Sequence, residues 1–190
     1  MKGTSMKVRL IVIFGDISGF SDFVDSVTND AIEYDPLMDK FDDLLDQMAR
    51  ETGYSFVDTG DGFMCTVDLL PGHNCTTAVK VILNLWKLLK QIERAIEDHR
   101  KNSLAPDGIR FVASVGYGKR KIKKDGAIIL RGKHINWAHN SLDLARGLGF
   151  VCDNAFKQLI NDEQAKKHGI TFERMKRPKR HRIWIVRVEK

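Results

Sequence analysis

The protein is a chain of 190 residues, 43% apolar and 29% charged, the size of one compact domain with a sizeable core. Its longest apolar runs, such as Leu10 to Phe14, are far shorter than the roughly 18–20 residues of a membrane helix, which excludes an integral membrane protein. The net charge of +6 divides unevenly, −9 over residues 1–70 and +15 over residues 71–190, and for most of these charges a solvated helix face is the ordinary reading.

The first six residues carry neither an apolar signal core nor a small-residue cleavage pattern, so export is not expected and a cytoplasmic protein is. Val8 to Gly15 is a nearly continuous apolar and β-branched run, the pattern of a central strand covered on both faces. Between Asp35 and Arg50 apolar residues recur at Leu37, Phe41, Leu44, Leu45 and Met48, a helical spacing with acidic residues on the other side, ended by Gly53. Residues 54–57 and 63–67 read as a hairpin around the Gly- and Asp-rich turn 58–62. Val79, Ile82, Leu83, Trp86, Leu89, Ile92 and Ile96 mark a long amphipathic helix over 75–100, with Trp86 in its core stripe, and 102–108 reads as a loop. Strands follow at 109–115 and 127–130, helices at 135–148 and 154–167, and a last strand at 183–188. Of two basic runs, Lys119 to Lys124 reads as an exposed loop, and Arg174 to Arg182 precedes the last strand, where it could grip phosphates or nucleic acid. Alternating strands and helices without a linker or repeat predict an α/β sandwich, helices packed on a sheet. Cys65, Cys75 and Cys152, odd in number and widely spaced, fit neither a disulfide framework nor a zinc site and read as reduced, structural thiols.

Two aspartates stand at turns: Asp16 directly after the first strand and Asp61 in the hairpin. Carboxylates at the ends of neighbouring strands converge, and two such oxygen donors suit Mg²⁺ or Mn²⁺ carrying a triphosphate. After Asp16 come Ile17, Ser18, Gly19 and Phe20, where a glycine permits close backbone approach and the N–H groups of a helix start can face phosphate oxygens. The ordinary alternative is that both aspartates cap helices or form turns.

Phe14 to Ser21 (FGDISGFS) resembles the motif that opens class III nucleotidyl cyclase catalytic domains, and Thr59 to Met64 (TGDGFM) resembles their second metal motif, at matching spacing. Arg110 to Gly116 (RFVASVG) is similar to the family's strand motif and Gly132 to Ala138 (GKHINWA) to the start of its asparagine-bearing helix. The resemblance implies a ferredoxin-like fold with helices packed on a mostly antiparallel sheet, filling residues 1–190 as one catalytic domain. It further implies a head-to-tail homodimer with active sites at the interface. Asp16, Asp61 and the carbonyl of Ile17 would hold two divalent cations, Mg²⁺ or Mn²⁺. Ser18, Gly19, Phe20 and Lys176 would bind the triphosphate, with Arg177, Lys179 and Arg180 as substitutes for Lys176. Asn136 of the other subunit would orient the ribose.

The departures carry information too. At the two positions where purine cyclases of this class read the base stand Val57 and Ile129, which offer no hydrogen bond to separate adenine from guanine. The resemblance therefore points to a pyrimidine, with Tyr54, Phe56 or Asp58 as possible base-recognition residues. The arginine that stabilises the transition state is replaced by Asn140, with Arg131, Arg146 or the basic C-terminal segment as possible compensation. His134, His139, His168 and His181 form no ligand pattern, and Ser18 and Ser21 lack a His/Asp partnership for nucleophilic catalysis.

A lone cyclase domain with an altered purine pocket is similar to the pyrimidine cyclases of bacterial Pycsar antiphage systems. That resemblance implies cyclic UMP or cyclic CMP synthesis, UTP being preferred, and a separate effector protein that reads the product. No membrane is expected as a partner and nucleic acid is not favoured. The rivals are a purine cyclase with atypical base recognition and a non-catalytic nucleotide- or RNA-binding module, the latter to be seen as salt-sensitive RNA binding without turnover.

Overall fold

A strand that is apolar at every position must be covered on both faces, because successive side chains point to opposite sides of the sheet. Strand β1 (Ser5–Ser18) meets this condition: Leu10 to Ile13 are each 0% exposed. Ile11, Ile13 and Ile17 join one core cluster, Leu10, Val12 and Phe14 a second on the other side of the sheet. In the computed structural model of the protein, residues 5–20, 23, 35–60, 62–100, 108–122, 128–175 and 182–189 are described.

The further elements are α1 (Asp35–Thr52), β2 (Ser55–Asp58), β3 (Gly62–Asp68), α2 (Asn74–Arg100), β4 (Gly108–Ile122), β5 (Ile128–Arg131) and α3 (Lys133–Asn140). A 3₁₀ turn (Leu142–Ala145), β6 (Phe150–Asp153), α4 (Asn154–Lys157), α5 (Asp162–Lys167), β7 (Ile170–Arg174) and β8 (Ile183–Val188) complete the order. The strands form one sheet in the order β2-β3-β1-β4-β6-β8-β7, with β5 paired to β4. Among the described residues only β4 and β6 pair in parallel, so the sheet is mostly antiparallel, as the resemblance implied.

Helix α1 buries Leu37, Phe41, Leu44, Leu45 and Met48 at the spacing read from the sequence, and α2 buries nine apolar residues from Ala78 to Ile96. Both lie over the first cluster, whose centre is a run of aromatic rings: Phe63 touches Phe56, Phe111 and Phe41 at centroid separations of 5.3, 5.7 and 6.2 Å. The second face is covered by α3 through Ile135 and Ala138, and by the 3₁₀ turn through Ala145. Ser114 on β4 is fully buried and donates to Asp153, which also accepts the Phe156 N–H at 2.7 Å and so caps α4 while tying β4 to the end of β6.

Five elements differ from the sequence reading here. The helix expected over 135–148 stops at Asn140, where Ser141 N–H turns back to the Ala138 carbonyl and the chain continues as a 3₁₀ turn. The helix expected over 154–167 is two short helices, each with its own cap, Asp153 and Asn161. Strands β6 and β7 were not foreseen. Lys119 to Ile122 are strand, not loop, because β4 runs on to pair with both β1 and β5, while Lys123 and Lys124 lie outside the described residues. Cys65, Cys75 and Cys152 are free thiols, as expected; burial pushes the thiols of Cys65 and Cys152 up. Among the described residues no helix is long and apolar enough to cross a membrane.

Candidate active site

The antiparallel register sets Asp16 opposite both Gly62 on β3 and Arg110 on β4. Side chains directly opposite one another share a face and lie within reach. The Arg110 Nε donates to Asp16 Oδ2 at 2.6 Å and its terminal nitrogen is also paired with that carboxylate. A second terminal nitrogen reaches Asp143 of the 3₁₀ turn at 3.0 Å. The Arg110 and Asp16 side chains are only 11% and 15% exposed, whereas Asp143 is 86% exposed. The strand end thus presents a carboxylate fixed in direction by a shielded guanidinium. Sequence reasoning placed Arg110 in a motif without a role and passed over Asp143; only the strand register reveals the contact.

The turn after β2 brings the second motif alongside. Asp58 Oδ1 accepts the Gly60 N–H at 2.7 Å, and Thr59 N–H reaches the Gly62 carbonyl at 3.0 Å. A Cβ on Gly62 would stand 2.3 Å from the Gly15 carbonyl oxygen and 3.1 Å from the Asp16 Cα, so only glycine lets the two motif backbones meet. Gly62→Ala is expected to cost about 1–3 kcal/mol by overpacking against main chain, seen as a lower thermal midpoint. Asp61 itself lies outside the described residues, as do Lys176, Arg177, Lys179 and Arg180.

Asp16 does not follow the first strand as the sequence suggested: β1 runs on through Asp16, Ile17 and Ser18 because β4 continues to pair with it as far as Gly108. Ile17 is 2% exposed with its side chain in the helix-side core, so only its main chain is left for a ligand. Ser18 is 4% exposed, Gly19 has φ +76°, and the Gly19 carbonyl accepts the Phe23 N–H at 2.9 Å. Phe20 packs against the helix-side core.

The base-pocket candidates divide between the two faces. Val57 pairs with Met64, and Met64 with Phe14, so the three share the sheet face of Asp16. Val57 is 51% exposed there. Tyr54 and Phe56 turn to the helix side: Tyr54 Oη accepts from Asn84 at 3.2 Å and burial raises its phenol, and Phe56 stacks on Phe63. Asp58 is engaged in its turn. Ile129 lies on β5, at the strand's pairing with Lys121.

On α3, Ile135 and Ala138 face the sheet, leaving Asn136 and Asn140, one helical turn apart, exposed on a common outer face. Asn140 Oδ1 stands 3.3 Å from His139 Nδ1, and the His139 ring stacks edge-on against Phe14 at 5.3 Å. His134 Nε2 is buried without a partner, its ring against Gly116, and desolvation lowers its pKa. Among the described residues no group of three or more His, Cys, Asp or Glu side chains is gathered to hold a metal.

This fold, with two strand-end motifs meeting at Gly15 and Gly62, is that of the class III cyclase catalytic domain. The chain is similar to the adenylyl cyclase CyaB from P. aeruginosa, with a TM-score of 0.79 and 18% identity over 98% of this chain and 97% of that one. It is also similar to a guanylyl cyclase at TM-score 0.75 and 13% identity over 98% and 94% of the two chains. A guanylate cyclase domain from Catenaria anguillulae in complex with GTP gives 0.67 and 16% over 97% and 100%. No protein-family model matches the sequence, and no curated protein matches it.

Proposed function

We propose that residues 1–190 act as one nucleotidyl cyclase domain that converts a pyrimidine nucleoside triphosphate, UTP by preference or CTP, to its 3′,5′-cyclic nucleotide and pyrophosphate. The observation that carries the reading is Asp16, fixed at the end of β1 directly opposite the glycine that follows Asp61, in a fold shared with adenylyl and guanylyl cyclases. Its donors are of the kind the implied metal takes, a carboxylate beside a residue that offers only main-chain oxygen, both hard oxygen ligands for Mg²⁺ or Mn²⁺, and a bound cation would share Asp16 with Arg110. Two such cations held by Asp16, Asp61 and the Ile17 carbonyl supply charge stabilisation and activation of the ribose hydroxyl.

In the reaction the ribose O3′ forms a bond to the α-phosphorus, the bond from that phosphorus to the pyrophosphate oxygen breaks, and the hydroxyl proton is released. Arg110 holds Asp16 in place, and Ser18, Gly19, Phe20 and Lys176 bind the triphosphate. The outward face of Asn136 and Asn140 supports a head-to-tail homodimer in which these two groups serve the partner's site. Val57, apolar and open on the face of Asp16, and Ile129 line the base pocket, and their lack of hydrogen-bonding groups supports a pyrimidine over a purine. The role the resemblance implies is a cytoplasmic second-messenger synthase in antiphage defence, its product read by a separate effector protein. A second reading, a purine cyclase, is favoured by the neighbours, which are adenylyl and guanylyl cyclases.

The test is incubation with each ribonucleoside triphosphate and Mn²⁺, alongside Asp61→Ala, with products identified by mass spectrometry. Cyclic UMP or cyclic CMP that vanishes in the variant is the expected result. Cyclic AMP or cyclic GMP alone selects the purine reading, and no cyclic product from any substrate overturns both.

A further inference from the structure

Between the middle of α2, the start of β4 and the loop 146–149 lies a cavity of about 490 Å³, within the range of small-molecule sites. Its apolar lining residues are Leu89, Ile96, Ile109 and Leu148, with the half-buried Trp86, among about as much polar as apolar surface. Trp86 was read from the sequence as a core residue; it lines this cavity. The loop reaches α2 because Gly149 takes φ +81°, and a Cβ there would stand 3.2 Å from Leu89.

The charges round the mouth are not balanced. On the α2 side Lys90 is paired with Glu93 at 2.7 Å and Arg100 with Glu97 at 3.2 Å. On the opposite side Arg146 and Arg187 are exposed and have no acidic partner among the described residues. Arg187 Nη1 donates to the Leu148 carbonyl at 2.8 Å, which fixes the guanidinium at the mouth with its other N–H groups still available. A cavity lined by these apolar side chains together with two guanidiniums that have no acidic partner among the described residues is complementary to an anionic head on an apolar body, since guanidinium pairs strongly with carboxylate and the body gains from leaving water.

We propose that this cavity binds a small amphipathic anion, a carboxylate carried on an apolar body, at a site that excludes the Asp16–Arg110 pair and shares only Ser18 with the residues assigned to the triphosphate. The two sites are mechanically close. Ser18, which lines the cavity, pairs with Gly108 two residues along the same β1–β4 ladder from Asp16 and Arg110. The cavity therefore extends to the strand end that carries Asp16.

The experiment needs no nucleotide, so it stands apart from the cyclase reading. Octanoate is titrated into the full chain by calorimetry and by tryptophan fluorescence, with octanol and octylammonium as controls. Octanoate is expected to bind roughly tenfold or more tightly than either control, the value of one hydrogen-bonded charge. Arg146→Glu is expected to remove that preference, and Trp86→Phe to keep the heat while losing the fluorescence change. Because Arg187 also anchors the loop, Arg146→Glu is the decisive variant, its fold checked by circular dichroism. Octanol binding as well as octanoate, octanoate binding unchanged in a folded Arg146→Glu, or no octanoate binding up to millimolar concentration each overturns the proposal.

Discussion

Asp16→Asn is expected to lower cyclase turnover by about 10²–10³-fold or more, the scale on which removing a fixed electrostatic group slows an enzyme. The change keeps size and shape but removes the charge that the proposed metals require and that Arg110 grips from two nitrogens. It leaves an 11% exposed guanidinium with Asp143, itself 86% exposed, as its one charged partner among the described residues. A loss of stability of about 1–3 kcal/mol is expected alongside, as for a buried charged group deprived of one partner. Turnover is read as cyclic product by mass spectrometry, and folding by circular dichroism and the urea midpoint. Wild-type turnover in a folded Asp16→Asn would remove Asp16 from the machinery.

Phe63→Ala is expected to destabilise the protein by about 3–5 kcal/mol, the cost of emptying a fully buried aromatic position. Phe63 is 0% exposed and meets three other phenylalanine rings. It also fills the space that a side chain on Gly15 would need: a Cβ there would lie 2.3 Å from the Phe63 ring. Gly15→Ala alone should therefore destabilise, and the double variant should be more stable than the sum of the two single changes predicts, because each removes the other's obstacle. Urea unfolding with an unchanged slope measures all three. Additive losses would show that the ring and the glycine are not in contact.

Much of the fold was legible because its periodicities are strong. The two-sided apolar run of β1 and the stripes of α1 and α2 each match one secondary structure over many residues, and the motif glycines mark the turns. What failed was short or context-dependent. Leu142, Leu144 and Leu148 continue the apolar spacing of α3, yet the chain there is a 3₁₀ turn and a loop in which Gly147 and Gly149 take positive φ, so that Phe150 can enter the sheet beside Phe111. Lys119, Arg120 and Lys121 look like a solvated loop, but two neighbouring strands supply the hydrogen bonds that hold them extended.

The candidate site divides in the same way. The amino-acid sequence alone puts Asp16 and Asp61 in the two motifs and leaves positions 57 and 129 without a polar side chain. Tertiary structure alone decided that Arg110, 94 residues away, fixes Asp16, that Val57 shares its face while Tyr54 and Phe56 turn away, and that Trp86 lines a cavity. The physical reason is that spacing along a chain encodes a side chain's direction within its own helix or strand, whereas its partner is set by the register between strands, which the whole core fixes at once.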